Sequence, residues 1–230
     1  MQDLPEAIDT TLIAAKFDDE VLEHECPTQW STIEDKRIVV WVDPLDGTSE
    51  FAQGFVDHVT ILIGISVDGK ATAGVICQPF GKFSSDSAAK GRVIWSILGL
   101  GVFGIQKVEA PKDKLIITTT RSHGNREIYS SIEALQPDEV LRVGGAGNKV
   151  LLVIDGRAHA YLFPSSGCKK WDTCGPEAVL RANGGILTDI HGNDILYHRD
   201  VEHVNSSGVL AATDPDPWQV PRTHSTRSQT

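Results

Sequence analysis

Two aspartates three residues apart, Asp43 and Asp46, stand in the stretch Trp41-Val42-Asp43-Pro44-Leu45-Asp46-Gly47-Thr48. An apolar run, Ile38-Val39-Val40-Trp41-Val42, precedes them and predicts a strand that delivers both carboxylates into a Pro/Gly turn. Two carboxylates facing one cavity, with the Leu45 carbonyl between them, suit Mg²⁺, which takes oxygen ligands and keeps room for water and a substrate phosphate. Gly47 lets the backbone approach a ligand, and Thr48 sets a hydroxyl where it can orient a water. The plain alternative is a strand-ending turn in which an aspartate bonds its own backbone and no metal is involved.

Asp172 is the natural third carboxylate. It lies in Lys169-Lys170-Trp171-Asp172-Thr173-Cys174-Gly175-Pro176-Glu177, at the start of a predicted helix. Alone it reads as an N-cap. Joined to Asp43 and Asp46, it makes three carboxylates from two distant segments, enough to hold two metal ions about 3.5–4 Å apart for an in-line displacement at phosphorus.

These residues must be positioned by the rest of the chain. Its 230 residues allow one large domain or two small ones. A net charge of −10 argues against a nucleic-acid polymer or an anionic membrane as partner, although a metal and a few local cations can still admit a small phosphorylated ligand. Cys26, Cys77, Cys168 and Cys174 form no C-x-x-C pair and read as free thiols of a reducing compartment. No apolar leader follows Met1, and no apolar run approaches the ~20 residues that span a bilayer, so a cytoplasmic location is expected.

The pattern predicts a short helix over Asp9–Glu23, strands over His58–Ser66 and Ala71–Gln78 joined by a two-residue Asp68-Gly69 turn, a loop over Lys82–Lys90 and a strand pattern over Val93–Ile105 punctuated by Gly99, Gly101 and Gly104. Beyond Ala110-Pro111 it alternates. Strands are expected at Leu115–Thr120, Val140–Val143, Ala158–Phe163, Ile186–Ile190 and Val209–Ala212. Helices are expected at Asn125–Leu135, Asn148–Ile154 and Pro176–Ala182. The expected organisation is an antiparallel-sheet half over 1–110, a mixed α/β half over 111–212 and a disordered tail over 213–230.

Trp41 to Thr48, together with Trp171-Asp172, Pro176-Glu177-Ala178 and Gly184-Gly185, resembles the inositol monophosphatase superfamily of Mg²⁺-dependent, lithium-sensitive phosphatases. Thr118–His123, Val143–Lys149 and Gly167–Asp172 resemble its bisphosphate nucleotidase branch, and the likeness runs from Asp3 to Ala212. The resemblance implies a layered α/β/α/β/α sandwich with substrate at the junction of its halves, in a monomer. It implies hydrolysis of the 3′-phosphate of adenosine 3′,5′-bisphosphate to AMP and phosphate, with 3′-phosphoadenylyl sulfate and inositol 1,4-bisphosphate as further substrates. Carried over by position, Asp43, the Leu45 carbonyl, Asp46 and Asp172 would ligate two or more Mg²⁺ ions, in a site inhibited by Li⁺. Thr48 would position the attacking water, and Gly47, Thr120, His123, Gly145 and Lys149 would hold the substrate.

Physical chemistry agrees with those roles. Gly144-Gly145-Ala146-Gly147 before a helix offers N–H groups to an anion, Lys149 adds a point charge, and His123 suits a hydrogen bond or stacking on a base. Without the family, the glycine run reads as an ordinary turn and His123 as a surface residue. The family pattern also carries, upstream of Asp3-Leu4-Pro5, two helices, a catalytic aspartate and a Glu-Glu pair, in whose place Met1 and Gln2 stand. The resulting expectations are an incomplete two-metal site, weak turnover and exposed apolar surface. Two alternatives therefore stand beside the nucleotidase: an inositol monophosphatase-like enzyme, and an impaired chain that binds nucleotide or a partner without turning over.

Overall fold

The computed structural model describes residues 19–80, 91–106, 108–122 and 124–214. The expected helix before Asp19, the expected loop over 82–90, His123 and the expected tail from 215 onward lie outside the described residues. The chain divides into two compact units, Met1–Thr32 and Ile33–Thr230. The described part of the first holds one helical turn, α1 (Asp19–Leu22), and a 3₁₀ turn at Thr28–Trp30. The second holds two sheets and all the candidate site positions.

The first sheet is an antiparallel meander of five strands in chain order: β1 (Ile38–Asp46), β2 (Thr60–Val67), β3 (Lys70–Gln78), β4 (Arg92–Ile97) and β5 (Gly101–Phe103). Asp68 and Gly69 join β2 to β3 with φ of +50° and +77°, the paired positive values that a two-residue hairpin turn requires. The glycine-punctuated strand pattern expected over Val93–Ile105 resolves into a hairpin, β4–β5. Gly99 and Gly101, at φ +90° and +125°, take backbone conformations that end one strand and begin the next. Alternate residues Trp41, Leu62, Ile76 and Ile94 are buried on the inner face. The outer face carries Val40, Val42 and Val93, exposed at 56%, 49% and 53%.

The second sheet runs β7-β6-β8-β10-β9, where β6 is Ile116–Thr120, β7 Glu139–Val143, β8 Ala160–Phe163, β9 Ile186–Thr188 and β10 Val209–Ala212. β6 is parallel to both β7 and β8, while β10 is antiparallel to β8 and β9. Parallel neighbours need helical crossovers. α3 (Arg126–Leu135) links β6 to β7, and α4 (Ala146–Ile154) links β7 to β8. Asn125 caps α3 by accepting the Ile128 N–H at 2.9 Å, and Ile128 and Ile132, one turn apart, are its buried stripe.

α5 (Lys170–Ala182) packs on the first sheet and reaches β9 and β10 of the second. It begins well before the expected Pro176. That proline removes an N–H from the helix interior, and burial of Thr173 through Leu180 between the sheets outweighs its cost. The helix backbone lies directly on the sheet backbone. A Cβ on Gly64 would stand 2.4 Å from the Gly175 nitrogen, and one on Gly74 would stand 2.2 Å from the Gly175 oxygen. Mixed α/β architecture is thus built around one inner layer of helix, and the carboxyl ends of β6, β7 and β8 open on one side of it, where ligands of such sheets bind.

Candidate active site

β1 ends at Asp46, and α5 begins two residues before Asp172. Their packing brings ligand atoms of Asp43, Asp46 and Asp172 within 4.8 Å of one another. A cavity of about 590 Å³ opens beside them. Asp46, Gly47, Thr48, Thr120, Gly145, Lys149 and Asp172 all line it, so most of the expected site converges.

Asp43 Oδ1 accepts the Leu45 N–H at 3.0 Å, so it bonds its own turn as well as facing its partners. Thr48 donates its hydroxyl to the Leu45 carbonyl at 2.9 Å, which aims that oxygen and leaves Thr48 Oγ1 free to accept from a water. Asp172 Oδ2 accepts the Lys169 N–H at 2.6 Å, which closes the first turn of α5.

Asp46 is the most constrained of the three. Its oxygens accept the Ala146 N–H at 2.9 Å, the Gly147 N–H at 2.8 Å and the Thr60 hydroxyl at 2.5 Å. The glycine run was expected to offer its N–H groups to a ligand. Two of them are instead taken by Asp46, because α4 points its N-terminus at the end of β1. Gly144 N–H turns to His58 Nδ1 at 3.3 Å. Gly145 has φ +71°, and a Cβ there would stand 2.5 Å from the His58 carbonyl, so only glycine fits.

Lys149 is buried, donates to the Gly145 carbonyl at 2.7 Å and lies 5.2 Å over the Tyr161 ring. Burial lowers its pKa, opposed by the charges of Asp46, Glu50 and Asp172. Its amine nitrogen is held in the interior rather than on a mobile surface side chain. Arg121, next to Thr120, reaches Gln53 at 2.9 Å and the buried Glu50 at 3.4 Å, tying α2 (Thr48–Ala52) to β6.

Burial, followed by the charges of Asp46 and Asp43, pushes Asp172 up to about 7 against the pull of the Lys169 N–H. Burial also raises Glu177 to about 7, although Tyr197 donates to it at 2.6 Å and Arg181 at 3.0 Å. Both carboxyls bind protons more tightly folded than unfolded. Their stabilising protonation is complete below the unfolded values near 4 and is lost as pH rises through about 7. The metal-free chain is expected to melt at lower temperature at pH 8 than at pH 5. Melting curves across that range test it, and Glu177→Gln should flatten the slope.

The three carboxylates form an all-oxygen donor set, which fits a hard divalent cation and not a soft one. Such a cation would offset the burial and the neighbouring negative charges that lift Asp172. Sequence reasoning missed Thr60, Glu50, Tyr161 and Cys168. Thr60 pairs directly with Asp46 across the sheet, a register visible only once β1 and β2 are aligned.

The chain belongs to the inositol monophosphatase family, whose profile matches residues 2–225. It is 56% identical over 212 residues to 3′(2′),5′-bisphosphate nucleotidase 1 of Homo sapiens, covering 91% of this chain and 69% of that protein. It is 45% identical over 196 residues to 3′(2′),5′-bisphosphate nucleotidase 1 of Dictyostelium discoideum, covering 81% and 63%. Among solved structures, CysQ from Bacteroides thetaiotaomicron, a bacterial member of the family, shares the fold with a TM-score of 0.63 at 22% identity, over 80% of this chain and 76% of that one. The family is metal-dependent, in keeping with the acidic cluster. No described helix is long and apolar enough to cross a membrane.

Proposed function

We propose that this chain hydrolyses the 3′-phosphate of adenosine 3′,5′-bisphosphate, releasing AMP and inorganic phosphate, in a Mg²⁺-dependent and Li⁺-sensitive reaction. The observation that carries this reading is the convergence of Asp43, Asp46 and Asp172, two of which, Asp46 and Asp172, line a cavity large enough for a nucleotide. Relatives at 45–56% identity that bear the nucleotidase name support the choice of substrate.

Asp43, Asp46, Asp172 and the Leu45 carbonyl would hold Mg²⁺. When bound, the metal would neutralise phosphate charge and lower the pKa of a coordinated water. The protein's own part is positional. Thr48, its hydroxyl spent as donor on Leu45, accepts a hydrogen bond from the attacking water and aims it at phosphorus. The water oxygen forms the new P–O bond, the bond from phosphorus to the ribose 3′ oxygen breaks, and of the water's two protons one stays with the released phosphate and the other ends on the ribose oxygen. Lys149 places a fixed positive charge beside the transferred group, and Thr120, His123, Gly47 and Gly145 hold the nucleotide. The chain acts on a small molecule, as a monomer in the cytoplasm.

Phosphate release from adenosine 3′,5′-bisphosphate, with Mg²⁺ titrated and Li⁺ added, tests the reading. Inositol monophosphate runs as the competing substrate. Li⁺-sensitive release that favours the nucleotide supports the proposal. Nucleotide binding without release from a folded chain overturns it in favour of a binder.

A further inference from the structure

The segment His203–Asn205 lies far from the acidic motifs in sequence and touches the turn that presents Asp172. Lys169 and Val204 form an antiparallel bridge, and Lys170 donates its N–H to the His203 carbonyl at 2.8 Å. The Asn205 N–H binds the Cys168 carbonyl at 2.7 Å. The Asn205 carboxamide then donates from Nδ2 to the Lys169 carbonyl and to Thr173 Oγ1, both at 3.1 Å. The backbone at 168–170 is thus held at three successive residues by one distant segment.

The flanking rings extend the same clamp. His203 lies edge-on to Trp41 of β1, 5.5 Å between centroids, and to Trp171 of α5, 5.6 Å. One imidazole is wedged between the residue two before Asp43 and the residue just before Asp172. Asn205 is 4% exposed, and its Oδ1 has no hydrogen-bond partner among the described residues. Leaving a buried acceptor without a partner is costly, so this side chain is committed to its donors.

We propose that His203–Asn205, with the Asn205 carboxamide at its centre, is the positioning element that sets Asp172 against Asp43 and Asp46 for metal binding. None of its three residues lines the cavity. Its effect passes through the Lys169 carbonyl and Thr173 hydroxyl to the first turn of α5, where Lys169 N–H holds Asp172. The inference rests on the metal-binding reading above.

Mn²⁺ binding, read as free-ion signal by electron paramagnetic resonance without substrate, tests it. Asn205→Ala keeps the backbone bond to Cys168 and loses both carboxamide donors. It is expected to weaken Mn²⁺ about tenfold, beyond any drop in metal-free melting temperature. Thr173→Val, which removes one of the two carboxamide partners, should weaken Mn²⁺ about threefold and stands in if the first variant does not fold. Asp155→Ala, which breaks the ion pair with Arg92 outside the cavity, is the control for destabilisation alone and should leave Mn²⁺ affinity unchanged. A parent chain that binds Mn²⁺ with unchanged affinity in both clamp variants overturns the inference and leaves the metal reading standing. A parent chain that binds no Mn²⁺ overturns both.

Discussion

Asp46→Asn and Asp172→Asn are each expected to abolish measurable phosphate release, yet to move the melting temperature of the metal-free chain in opposite directions. Asp46 meets three donors with two oxygens. An asparagine supplies one oxygen, and whichever way it turns, the Ala146 or the Gly147 N–H faces an NH₂ group. Thr60 can reverse its hydroxyl, but a backbone N–H cannot. One buried donor is left unmade, at about 1–3 kcal/mol, and α4 loses the negative charge at its N-terminus. Burial does raise the pKa of Asp46, so neutralising it also removes a desolvation cost. The unmade N–H is expected to outweigh that gain, because Asp46 is the acceptor of both N–H groups at the helix end. A fall of several degrees follows.

Asp172→Asn differs. Its oxygen can keep the Lys169 N–H, and its new NH₂ faces Asp43, whose carboxylate now disfavours the charged form of its neighbour. Repulsion among the three acids is relieved and the metal-free chain melts higher. Both variants should lose the stabilisation by Mg²⁺ that the proposed site predicts for the parent. Differential scanning fluorimetry with and without Mg²⁺ reads all four quantities. A rise in melting temperature for Asp46→Asn would refute the assigned geometry.

The second large effect is expected at Gly175→Ala, away from the cavity. The new methyl would stand 2.5 Å from the Ile63 carbonyl, and neither the strand nor the helix can move without breaking other contacts. Overpacking of this kind costs about 1–3 kcal/mol or more, which is roughly 2–4 °C of melting temperature per kcal/mol for a domain of this size. Since α5 carries Asp172, the displaced helix should also lower metal affinity. Gly184→Ala is the comparison: nothing lies within 4 Å of its Cβ, and only the strain of φ +90° remains. A Gly175→Ala chain as stable as the parent would show that the seam is looser than its atoms indicate.

The acidic turn was legible because local signals agree there: an apolar run, a proline, a glycine and two acids within eight residues. The Asp68-Gly69 hairpin was legible for the same reason. Misreadings arose where a distant partner overrides the local signal. Pro176 resembles a helix start, but two sheets bury the helix through it. The glycine run resembles an anion site, and it is one, with Asp46 as the anion. Thr60 and Asn205 carry no motif. Each matters for what the fold places opposite it, and a single sequence does not display register or a return loop.

Each of the three acids is tethered to main-chain N–H groups: Asp43 to Leu45, Asp46 to Ala146 and Gly147, Asp172 to Lys169. None depends on an ion for its orientation. The cluster therefore pays little ordering entropy when a cation arrives and collapses little when one leaves. Exchange at such a site is paced by the ion shedding its own water, which Mg²⁺ does reluctantly, and not by rearrangement of the chain.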